Sequence, residues 1–158
     1  MLTYDTRSRA LTYSDDHCRI EQWTLAMEVG GHILDSLSAQ WAVLGESPLR
    51  LALAFPGEQI VWDIRIEQDA TGSAWLMRST IHNRSSQPIR LGKIWMLAGD
   101  GPVQIGHDQA RLVCLSVLKE LYPRRLHRLS DPDCPRQSKV KTVFYSQNDS
   151  SALLVGFV

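Results

Sequence analysis

Hydrophobic and polar residues alternate one for one along much of the chain. Trp23, Leu25, Met27 and Val29 fall on one side, with Thr24, Ala26 and Glu28 between them. Leu49, Leu51, Leu53 and Phe55 repeat the pattern up to Pro56-Gly57. Ile60, Trp62, Ile64 and Ile66 resume it at once, with Asp63, Arg65 and Glu67 on the other face. A period of two places alternate side chains on opposite faces of an extended strand, and two such runs around a Pro-Gly turn predict an antiparallel hairpin. A further strand is expected over 74–82, with Trp75, Met77 and Ile81 on one side. Asn83-Arg84-Ser85-Ser86-Gln87-Pro88 then reads as a turn cluster. Residues 89–97 alternate again, Ile89, Leu91, Lys93, Trp95 and Leu97 against Arg90, Gly92, Ile94 and Met96. Residues 140–146 and 152–157 flank Gln147-Asn148-Asp149-Ser150 and predict a second hairpin.

One segment reads two ways. In 109–122, Ala110, Val113, Cys114, Val117, Leu118 and Leu121 share a helical face, Asp108 stands where a cap would, and Pro123 would end the helix. The β-branched residues and the surrounding strands favour a strand over 111–117 instead, and local pattern does not arbitrate. A succession of short strands separated by turns predicts an all-β fold, an antiparallel two-sheet β-sandwich. One domain over 1–158 is expected, with the first ~20 residues a loose lead-in and 119–139 a long exposed loop.

Composition narrows the class without naming a function. The 158 residues are 44% hydrophobic and 22% charged, enough apolar material for a packed core and unlike a disordered chain. Seventeen basic and 17 acidic residues cancel, which argues against a nucleic-acid binder working by bulk electrostatics. No apolar run approaches the ~18 residues of a membrane helix, and the polar N-terminus does not read as a signal peptide. Cys18, Cys114 and Cys134 are odd in number and form no CxxC, so a cytoplasmic location is expected. Asn83-Arg84-Ser85 and Asn148-Asp149-Ser150 match glycosylation sequons but read as turns.

Charge is nevertheless uneven. Lys119, Arg124, Arg125, Arg128, Arg136, Lys139 and Lys141 face only Glu120, Asp131 and Asp133 in 119–141, seven against three, or +4. A solvated connection explains this, and a partner-binding arm is the functional alternative. Catalytic signatures are missing from the sequence. There is no GxSxG elbow, and Cys18 beside His17 would point to the opposite face of a strand. His17, His32, His82, His107 and His127 are scattered, with no metal-ligand spacing and no cofactor motif. Gly99-Asp100-Gly101 lacks the third glycine of a phosphate loop, since Gln104 stands in its place, and reads as a turn. Asp131 and Asp133 are close in sequence, but no rigid frame holds them as an acid–base pair. Five tryptophans invite stacking on sugar rings, yet Trp23 and Trp62 run in phase with core residues. Trp41 lies outside the clean alternation and is the best exposed candidate.

Three stretches together resemble the N-terminal β-sandwich of family-36-type α-galactosidases and raffinose-synthase-like proteins. The first runs from Leu51-Ala52-Leu53 through Trp62-Asp63-Ile64-Arg65-Ile66. The second, Ile81-His82-Asn83-Arg84-Ser85-Ser86-Gln87-Pro88-Ile89-Arg90-Leu91-Gly92-Lys93-Ile94, is similar to that family's strand, "N-x-S-x-x-P" turn and following strand. The third, Ser150-Ser151-Ala152-Leu153-Leu154-Val155-Gly156-Phe157-Val158, resembles its closing strand. The resemblance implies a supersandwich of the galactose-mutarotase-like kind. It further implies a separate (β/α)₈ barrel holding both catalytic Asp residues, so no catalytic residue carries over to this chain. The expected role is a non-catalytic accessory domain, or a truncated copy, of an α-galactosidase-like glycoside hydrolase. Expected partners are that barrel or further copies of the chain, with carbohydrate a possible ligand and neither nucleic acid nor membrane expected. The loops 34–47 and 99–108 would line a sugar entrance, making Trp41, Asp100 and His107 the candidate contacts. Two rival functions are a stand-alone carbohydrate-binding sandwich and an interaction module working through the basic stretch. An apolar patch on one sheet face or edge would favour the accessory role.

Overall fold

The computed structural model describes residues 1–72, 74–98, 101–106, 112–117, 127–128, 141–146 and 151–156. These residues contain strands and turns and no helix. In chain order the strands are β1 (Leu2–Asp5), β2 (Ala10–Ser14), β3 (Cys18–Val29), β4 (His32–Asp35), β5 (Gln40–Glu46), β6 (Leu49–Phe55) and β7 (Ile60–Gln68). There follow β8 (Trp75–Asn83), β9 (Leu91–Ala98), β10 (Val103–Ile105), β11 (Leu112–Val117), β12 (His127–Arg128), β13 (Lys141–Ser146) and β14 (Ser151–Gly156). The chain divides into two compact units. One comprises Met1–Thr3, Thr12–Glu21 and Gly101–Val158, and the other Tyr4–Leu11 and Gln22–Asp100.

The second unit holds most of the described core. β5, β6, β7 and β8 form a continuous antiparallel sheet in that order. The predicted hairpin is present in register, from Leu49↔Ile66 to Phe55↔Ile60, and turns through Pro56–Gln59. β6 buries Leu49, Leu51, Leu53 and Phe55, and β7 buries Ile60, Trp62, Ile64 and Ile66. In a second sheet β3 pairs with β4 and β9 and buries Trp23, Leu25, Met27 and Val29. Each large apolar side chain withdrawn from water contributes about 1.5–3 kcal/mol. Two antiparallel sheets, each with one buried apolar face, make this unit β-sandwich-like.

Local chemistry explains its corners. Gly30 and Gly31 connect β3 to β4 with φ of 58° and 88°, and Val29 pairs with His32 directly across them. A two-residue hairpin loop of this hand needs positive φ at both positions, which glycine adopts without a Cβ clash. The Asn83 cluster also turns as expected. Asn83 Nδ2 donates to the Gln87 carbonyl at 2.7 Å, and Asn83 Oδ1 accepts from Ser85 N at 3.0 Å.

At the centre sits Ser36, fully buried. Its amide donates to the Leu25 carbonyl at 2.8 Å, while the Leu25 amide donates to Ser36 Oγ at 3.2 Å. The hydroxyl in turn donates to the Arg9 carbonyl at 3.2 Å. Trp41 Nε1 donates to the Ser36 carbonyl at 2.7 Å. Every polar group of this serine is thus satisfied away from water.

In the first unit, β10 pairs with the start of β3 from Val103↔Ile20 to Ile105↔Cys18. β11 lies between β12 and β13, and β14 closes that sheet. The C-terminal hairpin has the expected register, Ser146↔Ser151 to Lys141↔Gly156. The ambiguous 109–122 segment contains the strand β11.

Three expectations differ from the structure. The first ~20 residues pair as β1, β2 and the start of β3, with Leu11 and Cys18 buried, rather than hanging loose. Within 119–139 only His127–Arg128 lie among the described residues, and they add to β11 as β12. The alternation over 89–97 does not set one buried face, because register shifts against β3 between Thr24/Ala26 and Met27/Val29 break the strict two-residue phase.

Replacing Ser36 with Ala leaves the buried Leu25 amide short of a partner and removes the donor to the Arg9 carbonyl. Urea unfolding should show a loss of about 2–4 kcal/mol. A loss below about 0.5 kcal/mol would mean that the serine network does not hold the unit together.

Candidate functional site

Chemistry-bearing side chains concentrate on the outer face of β6, β7 and β8, opposite the buried Leu and Ile positions. Strand alternation puts Asp63, Arg65 and Glu67 of β7 on that face, with Arg50 of β6 and Arg78, Thr80 and His82 of β8 beside them. Arg50 stands directly across from Arg65, and Arg65 from Arg78. Glu67 accepts from Arg65 Nη2 at 2.6 Å and pairs with Arg78 Nη1 at 3.3 Å. His82 Nε2 lies 3.0 Å from Asp63 Oδ2. Thr80 stands across from Asp63, so a hydroxyl, a carboxylate and an imidazole share one end of the face.

This arrangement offers charged and hydrogen-bonding groups to a ligand. The Asp63–His82 pair is half exposed on both sides. Among the described residues, no group of three His, Cys, Asp or Glu side chains is placed to hold a metal ion. Nor is any described helix long and apolar enough to cross a membrane.

The predicted site residues are not brought together. Trp41 lies in β5 opposite Leu53, half-buried, with its indole N–H bonded to the Ser36 carbonyl. Asp100 and His107 lie outside the described residues. Residues 34–47, expected as a loop, contain the end of β4, a turn held by Asp35 and Ser38, and the whole of β5. The 99–108 stretch contains β10. Trp23 and Trp62 are buried as expected, and their indole N–H groups have no partner among the described residues.

Cys18 and His17 do not form a nucleophilic pair. Burial first, and then the nearby Asp15 charge, push the Cys18 thiol up to about 11. It is therefore protonated and unreactive near neutrality. Asp15 instead organises the entry to β3. Its Oδ1 accepts from His17 N at 2.8 Å and Cys18 N at 2.6 Å, and Tyr13 donates to Oδ2. Burial works against the Asp15 charge, but these three donors outweigh it and hold the carboxyl below its ordinary value.

Sequence reasoning recorded Asp63, Arg65 and Glu67 only as the polar side of a strand. The charged face needed the cross-strand register, which no local pattern contains. Comparison with family models, with curated proteins and with solved structures finds no match.

Two measurements follow from these carboxylate contacts. Glu67→Gln should cost about 0.5–1 kcal/mol at low salt, and the loss should shrink as salt screens the arginines. A salt-independent loss would point to packing instead. Asp15 contributes stability above its ordinary pKa of 3.8 that disappears as the pH falls through its lower folded value. The stability gap between the wild type and Asp15→Ala should therefore narrow below about pH 4 in urea titrations. A gap that is constant down to about pH 2 would contradict a role for the carboxylate.

Proposed function

We propose that this chain is a non-catalytic accessory β-sandwich that docks onto the catalytic domain of an α-galactosidase-like glycoside hydrolase. One observation carries the docking half. Leu91 and Ile94 of β9 stand directly across from Val29 and Met27, which are buried, yet they are 44% and 37% exposed. Leu97 is 37% exposed on the same strand. An apolar face thus continues past β3 onto a margin that the described residues leave partly exposed, and apolar surface of this kind favours an interaction site. β9 pairs with β3, and among the described residues no other strand pairs with it. The glycoside-hydrolase half rests on the sequence resemblance alone. The galactose-mutarotase-like form of the sandwich and a cytoplasmic location belong to the same proposal.

A stand-alone carbohydrate-binding sandwich is the second reading, favoured by Trp75, which is exposed at the start of β8. Galactosides would then quench its fluorescence, and Trp75→Ala would abolish the response.

The docking proposal predicts that the folded chain binds a hydrophobic dye such as anilinonaphthalene sulfonate and self-associates as concentration rises. Ile94→Lys should remove both while changing stability by no more than about 0.5 kcal/mol. The purified chain should not hydrolyse p-nitrophenyl α-galactoside. Absence of dye binding by the wild type, or turnover of that substrate, would overturn the proposal.

A further inference from the structure

The row formed by Arg50, Arg65 and Arg78 lies on the opposite sheet from β9 and uses none of the docking residues. Neighbouring strands are about 4.8 Å apart, so three like charges directly opposed repel one another. One carboxylate relieves part of this. Glu67 takes Arg65 on one oxygen at 2.6 Å and Arg78 on the other at 3.3 Å. No described residue supplies a second carboxylate between Arg50 and Arg65, and Arg50 has no ion-pair partner among the described residues. The Arg50 stem lies against β5, where a side chain at Gly45 would meet its Cδ at 3.8 Å. The stem thus lies toward β5, with a strip of the sheet face between it and Arg65 on β7.

The rest of the face restricts what could fill that strip. Asp63 and Thr80 are one step along the same face, and His82 is a step beyond. Residues two apart on a strand are about 6.7 Å apart, roughly the breadth of one pyranose ring. Beside them β6 presents Ala52 and Ala54, small enough to leave the surface low. A polyphosphate chain suits this face poorly, because Asp63 and Glu67 flank the positive row on either side of Arg65. A ligand with one carboxylate and several hydroxyls matches each group in turn.

The geometry points to a binding site for a uronic acid, with its carboxylate between Arg50 and Arg65 and its hydroxyls against Asp63, Thr80 and His82. Arginine suits the first task because its planar fork meets a carboxylate with two hydrogen bonds. Asp63 accepts from hydroxyls, whereas Thr80 and His82 can donate or accept. The inference stands independently of the docking reading, since it requires no partner domain.

Backbone NMR titration of the full chain at low ionic strength tests it. The probes are D-galacturonate, D-galactose, acetate and inorganic phosphate. D-Galacturonate should give saturable shifts centred on residues 50–52, 63–65 and 78–82. Galactose and acetate each supply half of the contacts and should bind at least about tenfold more weakly. Arg50→Gln should weaken D-galacturonate binding by about tenfold or more, and Arg50→Lys should restore only part of it. Arg50→Gln also removes a repulsive neighbour, so its unfolding midpoint should not fall, which separates lost binding from lost folding. Absence of saturable binding, an Arg50→Gln variant that binds like the wild type, or phosphate or galactose binding as tightly as D-galacturonate would each overturn the inference.

Discussion

One buried serine ties the larger unit together. Ser36 exchanges backbone and side-chain hydrogen bonds with Leu25 of β3, donates its hydroxyl to Arg9 and receives the Trp41 indole on its carbonyl. Those bonds join the turn after β4, the centre of β3, the approach to β2 and the first strand of the β5–β8 sheet. In a dry interior each of these polar groups would otherwise cost more than its bond contributes. The apolar faces of β3, β6 and β7 can therefore be buried without stranding the main chain that crosses between the two sheets. The core supplies most of the free energy, and the serine satisfies polar groups inside it.

From that centre the packing fades toward the strand edges. Leu25, Met27, Leu53 and Trp62 are shut off from water, whereas the residues of β9 that continue the β3 face are not. Glu28 adds a specific constraint on that side. Its carboxylate lies so close to β9 that a Cβ at Gly92 would come within 2.6 Å of it. The Glu28 side chain would have to move aside for any larger residue at position 92, while the apolar residues of β9 stay partly exposed. A closed centre with an open edge suits a module completed by another surface. The charged outer face of β6–β8 is a separate resource, built from the polar half of the same alternation.

Most of the strand framework was legible because one-for-one alternation is a strong local signal. The β6–β7 hairpin, the turn at Asn83 and the C-terminal hairpin all follow it in register. The β9 segment misled because bulges against β3 are tertiary events, and a run with apolar residues on both faces does not reveal where its register slips. Ser36 read as part of a loop, since Asp35-Ser36-Leu37-Ser38 is ordinary turn chemistry and its three partners, Arg9, Leu25 and Trp41, lie elsewhere in the chain. Trp41 drew attention because it lies outside the clean alternation, but the same network explains it, as an indole anchored to the Ser36 carbonyl. The arginine row was invisible for a simpler reason. Its members lie on three strands, and only the pairing of those strands sets them side by side.

Native-state hydrogen exchange, resolved by residue, tests the central claim that this unit is closed at Ser36 and open at β9. The amides of Leu25, Ser36, Leu51, Leu53, Trp62 and Ile64 should exchange last and together, at the free energy of global unfolding. The β9 amides that do not pair with β3 should exchange early, through local opening. Protection of those β9 amides equal to that of β6 and β7 would show the margin to be covered and would contradict the claim.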